Sequence, residues 1–387
     1  MLELTAMGAT DPLPLFLNFR GQTGGNRMNE SMGAYKPDWL EAKQRMTDWW
    51  AGKKVDRTVA SVTSPKKRES RPEWINASPD KYTDTETIFH NLEIRLNHTF
   101  WGGEAFPHHY VYFGPMFTPL IYYGAKPNFM EYTTWYEPCF KSLEDIAAYV
   151  PEPDKNEWWR MKVDIYEKTA ERSKGAYMVT LGGVMAIIDA LAGLYGNREL
   201  LYSMADEPEN VIKARDAMLR HAGPTFDVFY DIAYECNGGG SMDGLGIWSP
   251  GKAITNQCDY SVMISPGMFD RFVFDDLNHV CKMHDYGIYH LDGEEEIRHL
   301  DSILNLDKMN LIQWVPSTRF ENSFYQDPLN WIGLFKRIQS AGCAVYIMTP
   351  HERVKALLNR IDRNLVYLSV DCPDEETVAR VLKDLEK

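Results

Sequence analysis

Gly287-Ile288-Tyr289-His290-Leu291-Asp292 is an apolar run that ends in a histidine and a carboxylate two apart. Gly293 and the acidic stretch Glu294-Glu295-Glu296 follow directly. The run has the length of a strand, and the segment behind it reads as a helix. The period of two places His290 and Asp292 on one face of that strand, at its carboxyl end. The alternation then repeats to the end of the chain. Strands over 287–292, 310–315, 344–349 and 365–371 alternate with helices over 294–305, 328–340, 351–361 and 374–386. Strand, helix, strand at this spacing means parallel pairing through right-handed crossovers.

Working outward, 37–51 reads as an amphipathic helix carrying Trp39, Leu40, Met46, Trp49 and Trp50, and 58–63 as a first strand. A helix is expected near 84–97, a second strand over Tyr110–Phe113 ended by Gly114-Pro115, and an insertion of loops and short strands over 116–156. A helix over 158–172 leads to a third strand over Tyr177–Leu181, ended by Gly182-Gly183. Residues 184–235 read as helical with breaks near Gly196, Pro208 and Gly223-Pro224, and 242–248 as a weaker fourth strand. A helix over 265–285 starts on Ser265 as N-cap with Pro266 at the first helical position.

Eight strand segments alternating with helices fit an α/β chain folded as a (β/α)8 TIM barrel. We expect one domain over 1–387, with an N-terminal arm and helix over 1–50. The arm packs against the body or against a second subunit of a homodimer. A doubly wound open sheet is the rival, but no Gly-x-Gly-x-x-Gly follows the first strand, so a dinucleotide site has little support.

Bulk properties narrow the function. The chain is 44% apolar and 25% charged, an ordinary globular composition. Its formal net charge of −14 disfavours a phosphate backbone as partner. Lys66, Lys67, Arg68 and Arg71 form a short basic cluster, too small to act as a nucleic-acid stripe. The six cysteines include no Cys-x-x-Cys pair and read as reduced thiols rather than a disulfide framework. No signal peptide or membrane-length apolar run is visible, so the expectation is a soluble cytoplasmic protein without a membrane or nucleic-acid partner. Aromatic residues crowd between 96 and 140; most belong to a core, and the rest could line a pocket for a flat or apolar ligand.

In a barrel the carboxyl ends of the strands meet at one mouth. The fifth strand brings His290 and Asp292, the sixth Gln313 and Trp314, the seventh Thr349 and His351, the eighth Asp371 and Cys372. Each has a plainer reading. His290 can be a core histidine, Asp292 or Asp371 a helix cap, Cys372 a small buried hydrophobe, and Gln313 and Trp314 barrel lining. Together they offer two chemistries. His290 and Asp292 can act as an acid–base pair. Alternatively His290, Asp292 and Cys372 form an N/O/S ligand set for zinc, which would lower the pKa of a bound thiol or water.

The segment from Cys258-Asp259-Tyr260-Ser261 through Ile264-Ser265-Pro266 to Met268-Phe269 resembles the uroporphyrinogen decarboxylase superfamily. So do Tyr289-His290-Leu291-Asp292-Gly293, His299-Leu300-Asp301 and Ile312-Gln313-Trp314-Val315-Pro316. Weaker likenesses lie at 51–57, 197–201 and 206–208. The resemblance implies a (β/α)8 barrel with its site at the strand carboxyl ends. One branch of that superfamily decarboxylates a porphyrinogen without a cofactor. The other moves methyl groups to or from a corrinoid protein, or to a thiol, and usually holds zinc. The segment 63–71 is basic without the decarboxylase branch's arginine-rich motif, which points to the methyltransferase branch. There His290 matches the zinc-binding histidine, Asp292 stands where a cysteine would be, and Cys372 lies near the last ligand. The expectation is therefore a methyltransferase acting on a small molecule with a corrinoid protein, zinc being a candidate cofactor. A cofactor-free lyase or decarboxylase, or a non-catalytic binding relative, is the alternative.

Overall fold

The computed structural model describes residues 31–66, 72–114, 116–182, 186–317 and 326–386. The arm up to residue 30, Lys67, Arg68 and Arg71 of the basic cluster, and Pro115 and Gly183 of the strand-ending pairs lie outside the described residues.

Thirteen strands are named in chain order. β1 is Val59–Pro65, β2 Thr99–Gly103, β3 His108–His109, β4 Pro127–Phe129 and β5 Thr134–Tyr136. β6 is Met178–Val179, β7 Ser241–Met242, β8 Trp248–Ser249 and β9 Ala253–Asn256. β10 is Tyr286–Asp292, β11 Met309–Val315, β12 Ala344–Met348 and β13 Val366–Asp371. A seven-stranded sheet runs in the order β2-β1-β13-β12-β11-β10-β9, parallel throughout except for β2 on β1. β3 and β6 form a parallel pair, and Leu181 bridges in parallel to Asp243 just beyond β7. The four C-terminal strands are parallel neighbours, as their alternation with helices requires.

Alternation sorts the side chains. Ile288, Leu311, Ala344, Tyr346, Tyr367 and Val59 share one buried cluster with Met178, Met242, Trp248 and Ala253. One core therefore joins residues from strands of three separate sheets. The helix Trp39–Trp50 closes its amino-terminal end with Trp39, Met46, Trp49 and Trp50. Trp50 Nε1 donates to Trp248 O at 2.9 Å, so the polar tip of the ring is satisfied inside the plug. The opposite face packs against the outer helices through Tyr289, Leu291, Ile312, Trp314, Val345 and Leu368.

Several segments depart from the expectation. The second strand is β3, His108–His109, just before Tyr110–Phe113, and the helix expected over 265–285 is two, Pro266–Phe272 and Phe274–Met283. The fourth parallel strand is β9, not 242–248. The latter is a tight antiparallel hairpin, β7 on β8, turned through Gly246 at φ +77°. Glycine admits that left-handed turn, and it splits the apolar run that looked like a strand. The helix Pro208–Ala233 runs through Gly223-Pro224 without a break. The Thr225 hydroxyl donates to His221 O at 2.7 Å, supplying a hydrogen bond in the turn that Pro224 interrupts. The insertion 116–156 holds the helices Phe117–Tyr122 and Leu143–Ala148 besides the β4–β5 hairpin. Among the described residues no helix is long and apolar enough to cross a membrane.

Candidate functional site

The sequence after β9, Gln257-Cys258-Asp259, turns into the short 3-10 helix Asp259–Met263. It lies beside the carboxyl end of β10, since β9 and β10 pair from Ala253↔Tyr286 to Asn256↔Tyr289. On the far side of β10, His290 pairs with Gln313 of β11. Three adjacent strands therefore present Asp259, His290, Asp292 and Gln313 at one end of the sheet.

His290 is half-buried, and its Nδ1 donates to Gln313 Oε1 at 2.5 Å. With that nitrogen protonated, the neutral ring carries its lone pair on Nε2. Gln313 is 4% exposed and fixes the ring through the β10–β11 register. Asp292 shares the face of His290 but is exposed, and no hydrogen bond joins the two side chains. Gln313, not Asp292, is thus what orients the imidazole.

Asp259 is the residue that sequence reasoning missed. Burial pushes its carboxyl above the usual range, His290 pulls it down, and Asp292 pushes it up. Asp259 therefore lies within electrostatic reach of both His290 and Asp292. Asp259 is held from behind by Asp189, on the helix Ile187–Tyr195. Asp189 Oδ2 accepts from Asp259 N at 3.0 Å and Oδ1 from Tyr260 N at 2.8 Å. Burial, then the charge of Asp259, pushes Asp189 up to about 7. Gln257 hydrogen-bonds both carboxyls and draws both down. The signal available in the sequence was a lone aspartate inside Ile187-Ile188-Asp189-Ala190-Leu191, an otherwise apolar helical run.

A second support stands behind Asp292. Glu296 is fully buried; its Oε2 accepts from Asp292 N at 3.2 Å and its Oε1 from Ser261 Oγ at 3.3 Å. Burial first, then Asp259, raises it to about 9, so it is a neutral acid near pH 7. Glu296 clamps the turn after β10 to the turn after β9. Asp292 is accordingly not a helix cap: Gly293 precedes the 3-10 turn Glu294–His299, and its φ of +88° is a glycine conformation.

The other strand ends are arranged differently. Trp314 lies on the opposite face from Gln313, 3% exposed, its ring 4.7 Å from that of Trp331. Asp371 is exposed and accepts from Thr63 Oγ1 of β1. The last helix is capped by Asp374, whose Oδ1 accepts from Thr377 N at 2.8 Å. His351 lies in a short 3-10 turn beside Glu352, and Thr349 N donates to Ser369 O. Cys372 is 4% exposed, its amide donating to Thr63 O at 2.7 Å. In sheet order β12 and β11 stand between its strand and β10.

Among the described residues no three His, Cys, Asp or Glu side chains converge as a metal-holding group. The set His290, Asp292 and Cys372 is therefore not assembled as a zinc site. Burial raises the Cys372 thiol to about 11, Cys236, Cys281 and Cys343 to about 12, and Cys258 well above its ordinary value. All six cysteines are free.

No family model matches the chain, and no curated protein sequence does. Among solved structures, a methyltransferase from Methanosarcina mazei matches with a TM-score of 0.60 at 14% identity. The match covers 89% of this chain and 97% of that one. It shows that the two chains share a fold, a mixed α/β architecture around a mostly parallel sheet.

Proposed function

We propose that the chain is a methyltransferase on a closed (β/α)8 barrel, with its site at the strand carboxyl ends around His290. It moves a methyl group between a small molecule and a corrinoid carried by a partner protein. The observation that carries this reading is the joining of Asp259, His290, Asp292 and Gln313 from three adjacent parallel strands. The fold shared with a methyltransferase supports it, as does the single inner core that links β1, β6, β7 and β9–β13.

The chain's own part is binding, orientation and proton movement. Gln313 leaves His290 Nε2 free to take a proton from a nucleophile, or to return one to a leaving alkoxide or amine. The corrinoid cobalt, when presented, supplies the nucleophile or the methyl group. No step is routed through zinc, because the donor set does not converge. The carboxylates Asp259 and Asp292 also disfavour a polyanionic substrate such as a porphyrinogen.

The test is anaerobic incubation with cob(I)alamin and a panel of methyl ethers, methylamines and methyl thioethers, following methylcobalamin by absorbance. One donor class should turn over, and His290→Ala should slow it about 10²–10⁴-fold with the fold intact. Failure of every donor, or full activity in His290→Ala, would overturn the proposal.

A further inference from the structure

A cleft of about 300 Å³ opens between the helix Thr85–His98, the stretch after β3 and the turn of the β4–β5 hairpin. Its walls are aromatic. Trp74, Tyr110 and Tyr132 keep 45%, 39% and 79% of their surface exposed, although large apolar side chains are normally covered. Tyr110 and Tyr112 stack with ring centroids 5.2 Å apart at 12°, presenting a flat wall.

The charge of the lining runs against that of the chain. On a protein of net charge −14, the cleft carries Lys81 and Arg95 against one carboxylate, Glu131. Lys81 Nζ is held by Asn76 Oδ1 at 2.8 Å and by Glu131 O, both neutral acceptors. Arg95 makes one hydrogen bond, from Nη2 to His108 Nε2 at 2.8 Å. His108 Nδ1 donates to Phe106 O at 2.8 Å, so its Nε2 is a neutral acceptor. Among the described residues no carboxylate stands in ion-pair contact with Arg95, whose guanidinium lies 5.7 Å from the centroid of the Trp101 ring; Asp371 acts on it only from a distance. Arg95 is half-buried, and a guanidinium so placed favours an anion as its next partner. His109 lines the same cleft, 9% exposed, with an Nδ1 that has no partner. Burial and Arg95 hold its ring neutral, with a pKa of about 3.

We infer that this cleft binds a planar aromatic carboxylate, its ring on Tyr110, Tyr112 and Trp74 and its carboxylate on Arg95, with His109 as the second polar contact. The flat wall selects the ring, and the Arg95 guanidinium selects the charge. The inference does not rest on methyl transfer, and its readout is binding alone.

The test uses the full chain and titrates benzoate, benzamide and cyclohexanecarboxylate by calorimetry. Benzoate should saturate with a Kd below about 1 mM. Benzamide, which keeps the ring and loses the charge, should bind at least about tenfold more weakly. Cyclohexanecarboxylate, which keeps the charge and loses the flat ring, should also be weaker. Arg95→Met should weaken benzoate about tenfold or more, and Tyr132→Ala by a smaller factor. The comparison of benzoate with benzamide on the native chain decides the matter even if Arg95→Met fails to fold. Equal affinity for those two, unchanged benzoate affinity in folded Arg95→Met, or no saturation by about 10 mM would overturn the inference.

Discussion

The two ends of the same strands do opposite work. At the amino end, Val59, Ile288, Leu311, Ala344 and Tyr367 lie in a dry core sealed by the tryptophans of Trp39–Trp50. Two residues further along each strand, on the same face, stand Ser61, His290, Gln313 and Ser369, and Tyr346, which still borders the core. The alternation is unbroken, and only the chemistry of the residue at each step changes. One end therefore supplies stability and leaves the other free to carry polar and titratable groups that a core would not tolerate.

If that division holds, damage to the amino end should cost folding. Glu104 is fully buried and binds Arg45 at 2.9 Å, Arg57 at 2.7 Å and the amide of Ala60 at 2.8 Å. Glu104→Gln should cost about 3–5 kcal/mol in urea unfolding, because it leaves Arg57 without its carboxylate and Arg45 with Asp56 alone. A loss below about 1 kcal/mol would show that the cluster is not part of the seal. Ile288→Ala should cost about 3 kcal/mol, and the folded variant should keep its active-end chemistry.

At the carboxyl end the expected effect is a dependence on pH. Glu296 and Asp276 are raised to about 9 and about 8, each mainly by burial. Between the ordinary carboxyl range and those values the folded chain holds protons that the unfolded chain has lost. Stability from these groups is therefore complete at low pH and declines as pH rises toward 9. The melting temperature should fall across that window, and Glu296→Gln should flatten the slope without removing it, since Asp276 remains. A slope unchanged in Glu296→Gln would deny Glu296 its neutral role. The smallest effect is expected at Cys372: Cys372→Ser should cost about 1 kcal/mol and leave bound metal unchanged. A loss of stoichiometric zinc in that variant would restore it as a ligand.

Much of this was legible in the sequence. The last four strands could be placed to within a residue or so, because Ile288-Tyr289, Leu311-Ile312, Val345-Tyr346-Ile347 and Val366-Tyr367-Leu368 are apolar runs between turn residues. His290 and Gln313 could be named from strand ends, but their hydrogen bond depends on the β10–β11 register, which no local pattern fixes. β9 was obscured because Ala253-Ile254-Thr255-Asn256 is short and ends in amides, while Leu245, Ile247 and Trp248 mimic a strand across a glycine turn. Losing β9 also hid Asp259, which follows it. Trp314 and Cys372 could be named by their position at strand ends, but not their burial, which depends on the face each takes.

The central claim is that the ends of β9 and β10 form one catalytic unit, and a double-mutant cycle on kcat/KM for methyl transfer tests it most directly. Asp259→Asn and His290→Gln should each slow turnover, and the double variant should be scarcely slower than His290→Gln alone. That corresponds to a coupling of about 1 kcal/mol or more. Losses that add to within about 0.5 kcal/mol would show two independent residues and contradict the account.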